Sequence, residues 1–153
     1  MMNERSVHHA TFTVERTYQA SPARVFAAWA DSEAKARWFS KADEFDFRVG
    51  GREFSRGGPP DGPIYTFDAC FQEIVPNQRI VYSYTLDMGE MRISVSVTTV
   101  ELKPTDAGTR LIFTEQGTYL DGHDTPEQRE HGTKAMLDTL GEVLRNESSR
   151  GRT

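Results

Sequence analysis

Glu115 is the residue of this sequence with the sharpest chemical potential. It lies in "TRLIFTEQG", where Leu111, Phe113 and Glu115 alternate with their neighbours. A period of two places all three on one face of a strand, so a carboxylate is expected to look inward with two apolar side chains. A buried carboxylate is costly unless it is paired or protonated. The sequence offers Arg16, Arg129 and tyrosine hydroxyls as partners. Glu115 is therefore read in three ways: a strand-end glutamate that reaches solvent, half of a structural ion pair, or a polar anchor or general acid/base in a cavity.

The other chemical residue types carry less. His123 and His131 lie near Asp121, Asp124 and Glu130, but they stand eight positions apart with no HxxxH spacing. A metal site needs three converging ligands, so no metal is expected. His8 and His9 fall in the leader. Cys70, in "DACFQ", reads as a small apolar strand residue without an adjacent base. No GxSxG is present, and "GGREFSRGG" lacks the Gly-Lys-Ser/Thr of a phosphate loop. No cofactor is expected.

The elements that must position Glu115 follow from periodicity. "ATFTVERTY" alternates Phe12, Val14 and Tyr18 with polar residues, with Arg16 as the exception on the apolar face. "ASPARVFAAWAD" opens a helix capped by Ser21 with Pro22 at its first position. "DSEAKARWF" restarts a short helix capped by Asp31 or Ser32. "EFDFRV" and "REFSR" flank Gly50-Gly51, a two-residue link that signals a hairpin. "RGGPPDGP" (56–63) is a breaker-rich loop that could act as a lid beside a cavity. Four more strands follow, with inward faces read as Tyr65, Phe67, Ala69 and Phe71; Ile80, Tyr82, Tyr84 and Leu86; Met91, Ile93, Val95 and Val97; and Leu111, Phe113 and Glu115. A last helix starts near Thr125 and carries the stripe Met136, Leu137, Leu140, Val143 and Leu144.

The order is strand, two short helices, six hairpin-linked strands and one long helix, an α+β pattern. The helix can bury its stripe only against one face of the sheet. A strongly twisted seven-stranded antiparallel sheet curls, which leaves space between sheet and helix, closed at one end by the short helices. The 153 residues are read as one domain, with a core at about 11–145 and a flexible leader and tail.

Composition narrows the function. The net charge is −5, with basic and acidic residues interleaved, so nucleic-acid binding is not expected. No apolar run approaches the ~18 residues of a membrane span, and no signal-peptide core opens the chain. A single cysteine excludes an intramolecular disulfide and points to a reducing compartment, the cytoplasm.

"SPARVFAAWADSEAKARWF", "FDFRVGGREF" and "YTFDACFQEIVPNQRIVYSY" together resemble the START-like, Bet v 1-like (SRPBCC) superfamily, in the branch named after the activator of Hsp90 ATPase. The resemblance runs from about Thr11 to Leu144 and implies the helix-grip fold. "FTEQGTYLDGHDTPEQREHGTKAMLDTL" is similar to a bacterial subgroup. The commoner pattern carries a tryptophan after the glycine of the last helix, where this chain has Thr133, which implies a roomier or more polar cavity.

The resemblance implies a protein that holds a hydrophobic or aromatic small molecule in the cavity between sheet and last helix. One alternative is a cyclase- or hydrolase-like enzyme using Glu115 and a tyrosine. The other is a chaperone-interacting or other protein-interaction module. A homodimer is compatible with the sequence. The expected ligand-binding residues are Phe26, Trp29, Trp38, Phe39, Phe47 and Phe54 from the first third. Tyr65, Phe67, Tyr82, Tyr84, Ile93, Val95, Phe113 and Glu115 come from the strands, and Met136 and Leu140 from the last helix.

Overall fold

Alternating β-branched and aromatic residues build the strands of this chain, and short polar or glycine-containing turns end them. A computed structural model describes residues 4–150, with side chains placed through Glu147. The expectations on residues 1–3 and 151–153 of the leader and tail lie outside the described residues. The elements are β1 (Val7–Tyr18), α1 (Pro22–Ala30), α2 (Ser32–Lys35), β2 (Glu44–Phe45), β3 (Arg52–Gly57), β4 (Tyr65–Val75), β5 (Arg79–Met88), β6 (Met91–Pro104), β7 (Thr109–Leu120) and α3 (Pro126–Arg150).

All seven strands form one antiparallel sheet in the order β1-β7-β6-β5-β4-β3-β2. β1 pairs with β7 from Val7 opposite Leu120 to Tyr18 opposite Thr109, so His8 and His9 belong to a strand rather than a loose leader. Register shifts at Phe71/Glu73 and Leu86/Asp87 mark bulges, which bend strands and help the sheet curve. With the long C-terminal helix laid against it and short helices between its first two strands, this is the helix-grip arrangement.

The Gly50-Gly51 link departs from the expected two-residue hairpin. β2 holds only Glu44 and Phe45, paired with Phe54 and Glu53. The glycines bind the middle of β4 instead, just past its pairing with β3: the Gly50 amide donates to the Phe71 carbonyl at 2.8 Å, and the Phe71 amide donates to the Gly51 carbonyl at 3.0 Å. Gly50 has φ +85°, and a Cβ on Gly51 would stand 2.0 Å from the Asp46 carbonyl oxygen. The wider turn carries Phe47 into the core, where its ring meets Phe71 at 4.9 Å and Phe26 at 5.7 Å.

Each helix starts on a side-chain cap. Ser21 accepts from the Arg24 amide, Asp31 from the Ala34 amide and Thr125 from the Gln128 amide. The second half of α3 is pinned to the sheet: the Tyr18 hydroxyl donates to the Leu137 carbonyl at 2.7 Å. Gly141 permits this approach, because a Cβ there would sit 3.1 Å from the Tyr18 ring. Leu137, Leu140 and Leu144 complete a core with Val14, Val25, Trp29 and Phe113. Trp29 and Trp38 meet edge to face at 4.7 Å, and the Trp38 indole donates to the Ala28 carbonyl at 3.0 Å, which ties the turn after α2 to α1. The core thus fills the space under the second half of α3. The first half faces a cavity.

Candidate functional site

The cavity encloses about 770 Å³. Phe67, Tyr82, Tyr84 and Phe113 form its sheet wall, Trp38 and Phe39 close the end beside α2, and Thr133 and Met136 of α3 form the opposite wall. Gln128, Gly132 and Ala135 line it while exposed, so it opens to solvent beside α3, with Gly57 and Gly58 at the mouth.

One pole is polar and fully built. Glu115 is 2 % exposed. Its Oε1 accepts from the Tyr84 hydroxyl at 2.8 Å and from Thr98 Oγ1 at 3.1 Å, and its Oε2 faces Arg129 Nη1 at 3.3 Å. Arg129 also donates from Nη1 to the Tyr84 hydroxyl at 2.7 Å, and from Nη2 to Ser94 Oγ at 2.8 Å and Asp124 Oδ2 at 2.7 Å. Asp124 is fixed in turn by the Thr125 amide at 2.8 Å, immediately ahead of the helix. The Arg129 guanidinium lies 5.3 Å from the Tyr119 ring centre and 5.7 Å from that of Tyr84, within cation–π range.

Burial raises the pKa of Glu115, against the pull of Arg129, Tyr84 and Thr98. Burial and the neighbouring Glu115 also raise Tyr84, so its phenol keeps its proton. Burial disfavours the charge on Arg129, but Tyr84, Glu115 and Asp124 outweigh it and hold its pKa above the usual value.

A second buried ion pair lies behind the aromatic wall. Lys35 Nζ donates to Glu53 Oε1 at 2.6 Å, with side chains 5 % and 1 % exposed. The ammonium is caged by Trp29, Trp38, Phe39, Phe45 and Tyr82, at 5.1–6.0 Å from the ring centres. Burial lowers the Lys35 pKa, and Glu53 counteracts it. Neither residue lines the cavity, and among the described residues Glu53 Oε2 is buried with no partner.

The structure distributes the sequence candidates unequally. Trp38, Phe39, Phe67, Tyr82, Tyr84, Phe113, Glu115 and Met136 face the cavity, with Tyr65 at its rim. Phe26, Trp29, Phe47 and Leu140 pack in or against the core and do not line it.

Three candidates need correction. Phe54 lies on the outer face of β3, under the guanidinium of Arg52 at 4.3 Å, because Glu53 and Ser55 take the inner positions. Val95 is 42 % exposed, because the inner face of β6 is Ser94, Ser96, Thr98, Val100 and Leu102. Ile93 sits at the bulge, buried but outside the main cluster and the cavity.

Of the offered partners for Glu115, Arg129 and Tyr84 engage it, whereas Arg16 pairs with Asp138 at 2.7 Å. The alternation rule missed Ser94 and Thr98, which are polar yet inward. The continuing parity with Val100 and Leu102 was the available signal. Asp124 belongs to the Arg129 cluster rather than to a metal site, and the sequence signal for this is its adjacency to the Thr125 cap. Among the described residues no three His, Cys, Asp or Glu side chains converge as metal ligands, and no described helix is long and apolar enough to cross a membrane.

With the geometry in hand, the relatives fall into place. The family model for the activator of Hsp90 ATPase homolog 1-like protein matches residues 19–145. Among solved structures, the Mll3558 protein from Rhizobium loti is 51 % identical, with a TM-score of 0.86, covering 90 % of this chain and 99 % of its own. An uncharacterised protein from Rhizobium leguminosarum is 42 % identical, with a TM-score of 0.88 and coverages of 94 % and 99 %. Protein CV1439 from Chromobacterium violaceum is 28 % identical, with a TM-score of 0.76 and coverages of 88 % and 96 %. No protein of curated function matches the sequence. The chain belongs to the activator of Hsp90 ATPase homolog 1-like family, within the SRPBCC superfamily.

Proposed function

We propose that this member of the family binds a hydrophobic or aromatic small molecule in the cavity between the sheet and α3, without chemistry. The carrying observation is the cavity itself: about 770 Å³, walled by aromatic rings and ending in one built polar cluster. Small-molecule sites typically span ~300–1,000 Å³, apolar walls with a few placed polar groups. The state of Glu115 favours binding over catalysis. Both carboxylate oxygens are engaged by Tyr84, Thr98 and Arg129, which suits an orienting anchor better than a free general base. Work in the cytoplasm fits the lone thiol, Cys70.

The test is native mass spectrometry of protein purified from its own host, followed by extraction of the retained molecule and a thermal-shift screen of apolar compounds. A retained or stabilising aromatic compound is expected. Repeatedly empty protein with no shift across the library contradicts the reading.

A further inference from the structure

We infer that the cavity selects uncharged aromatic molecules and rejects carboxylates of the same shape. This deepens the binding reading and rests on it. The formal charges on the lining are those of Arg37, Arg129, Glu115 and Asp124. Arg129 is the buried cation, 11 % exposed, and it is held by Glu115 at 3.3 Å and by Asp124 at 2.7 Å. Its remaining contacts run to Tyr84 and Ser94. A carboxylate entering the pole would compete with two resident carboxylates for one guanidinium, and would leave at least one of them buried and less well paired. Arg37 is 56 % exposed and already paired with Glu147 at 2.6 Å, so it offers a screened contact worth little.

The groups left for a ligand are neutral. Ser55 of β3 and Thr133 of α3 line the cavity at 3 % and 6 % exposure. Among the described residues neither hydroxyl makes a hydrogen bond, and a buried hydroxyl gains from a neutral partner. They share the lining with the rings of Phe67, Tyr82 and Tyr84, which suit an aromatic ligand. The ligand class is therefore an aromatic molecule carrying hydroxyl or carbonyl groups without formal charge.

The experiment compares 2-naphthol and 2-naphthoate by calorimetry at pH 7, on the wild type, Glu115→Gln and Asp124→Asn. Each substitution removes one carboxylate from Arg129, and using two guards against a folding failure in either. Wild type is expected to bind naphthol at least tenfold more tightly than naphthoate. The naphthol-to-naphthoate ratio is expected to narrow at least threefold in whichever variant folds. Equal or tighter binding of naphthoate by the wild type overturns the inference, as does an unchanged ratio in the folded variants. Binding of neither compound overturns the cavity's role as a binding site, a separate failure.

Discussion

Among the described residues two buried ion clusters stand out, and they are built on opposite plans. Lys35–Glu53 is sealed: five rings surround the ammonium, neither residue lines the cavity, and among the described residues one carboxylate oxygen has no partner. Glu115–Arg129–Asp124 is open on one side to a cavity, and its carboxylate and guanidinium groups are joined through Tyr84, Thr98, Ser94 and the Thr125 amide. A buried charge is tolerated when each group has partners or when the fold gains something else. The first cluster locks α2 to β3 and so holds Trp38 and Phe39 in place as the cavity's end wall. The second is the cavity's own polar pole. One therefore acts on stability, the other, under the proposed function, on recognition.

The largest expected effect comes from breaking the sealed pair. Lys35→Ala leaves Glu53 buried and uncompensated and should destabilise the fold by about 3–5 kcal/mol, read by urea denaturation. The joint replacement Lys35→Met with Glu53→Leu should recover most of that loss. If the single substitution costs under ~1 kcal/mol, the pair is not the lock described.

Breaking the open cluster should cost less, because Glu115 can take up a proton and water can enter. Arg129→Met is expected to cost about 1–3 kcal/mol and, unlike the sealed pair, to alter ligand affinity in the variant that remains folded.

The two clusters also differ in pH response. The folded protein holds the Glu115 proton more tightly than the unfolded chain, whose value is near 4.5. The folded state therefore binds more protons in the window above pH 4.5, and this group's contribution to stability is lost as pH rises through it. Glu115→Gln should flatten that slope. Lys35 behaves oppositely: its folded pKa is lowered from 10.5, so its contribution rises as pH climbs toward 10.5. Denaturation midpoints across pH 4–10 measure both.

The smallest effect is expected at Thr125→Ala, which removes the α3 cap for about 1 kcal/mol. Because the same residue's amide holds Asp124, a shift in ligand affinity without further loss of stability would tie the helix start to the pole.

On β4 and β5 the period-two rule made the sequence legible. β4 and β5 present Phe67, Ala69, Phe71, Tyr82 and Tyr84 inward as their alternation predicts. The rule failed where polar groups stand inside. On β6 Ser94 bonds Arg129 and Thr98 bonds Glu115, and Val95 and Val97 are turned out. On β3, Glu53 is inward because Lys35 waits for it, and Phe54 is turned out to lie under Arg52. Lys35 itself, in "SEAKARWF", reads as an ordinary surface helix residue, and only the three-dimensional convergence of five rings shows otherwise. Glu115 was legible as an inward carboxylate, whereas the choice of Arg129 over Arg16 depended on where α3 crosses the sheet.

Whether ligands enter the aromatic cavity and meet the Glu115–Arg129 pole is read most directly from the amide chemical-shift map of the wild-type protein titrated with 2-naphthol. Shifts are expected to concentrate on β4, β5, β7 and the first half of α3, around Phe67, Tyr84, Glu115 and Thr133, with Phe54 and Val95 on the outer face unmoved. Shifts concentrated on that outer face, or none at millimolar naphthol, would contradict entry into the cavity.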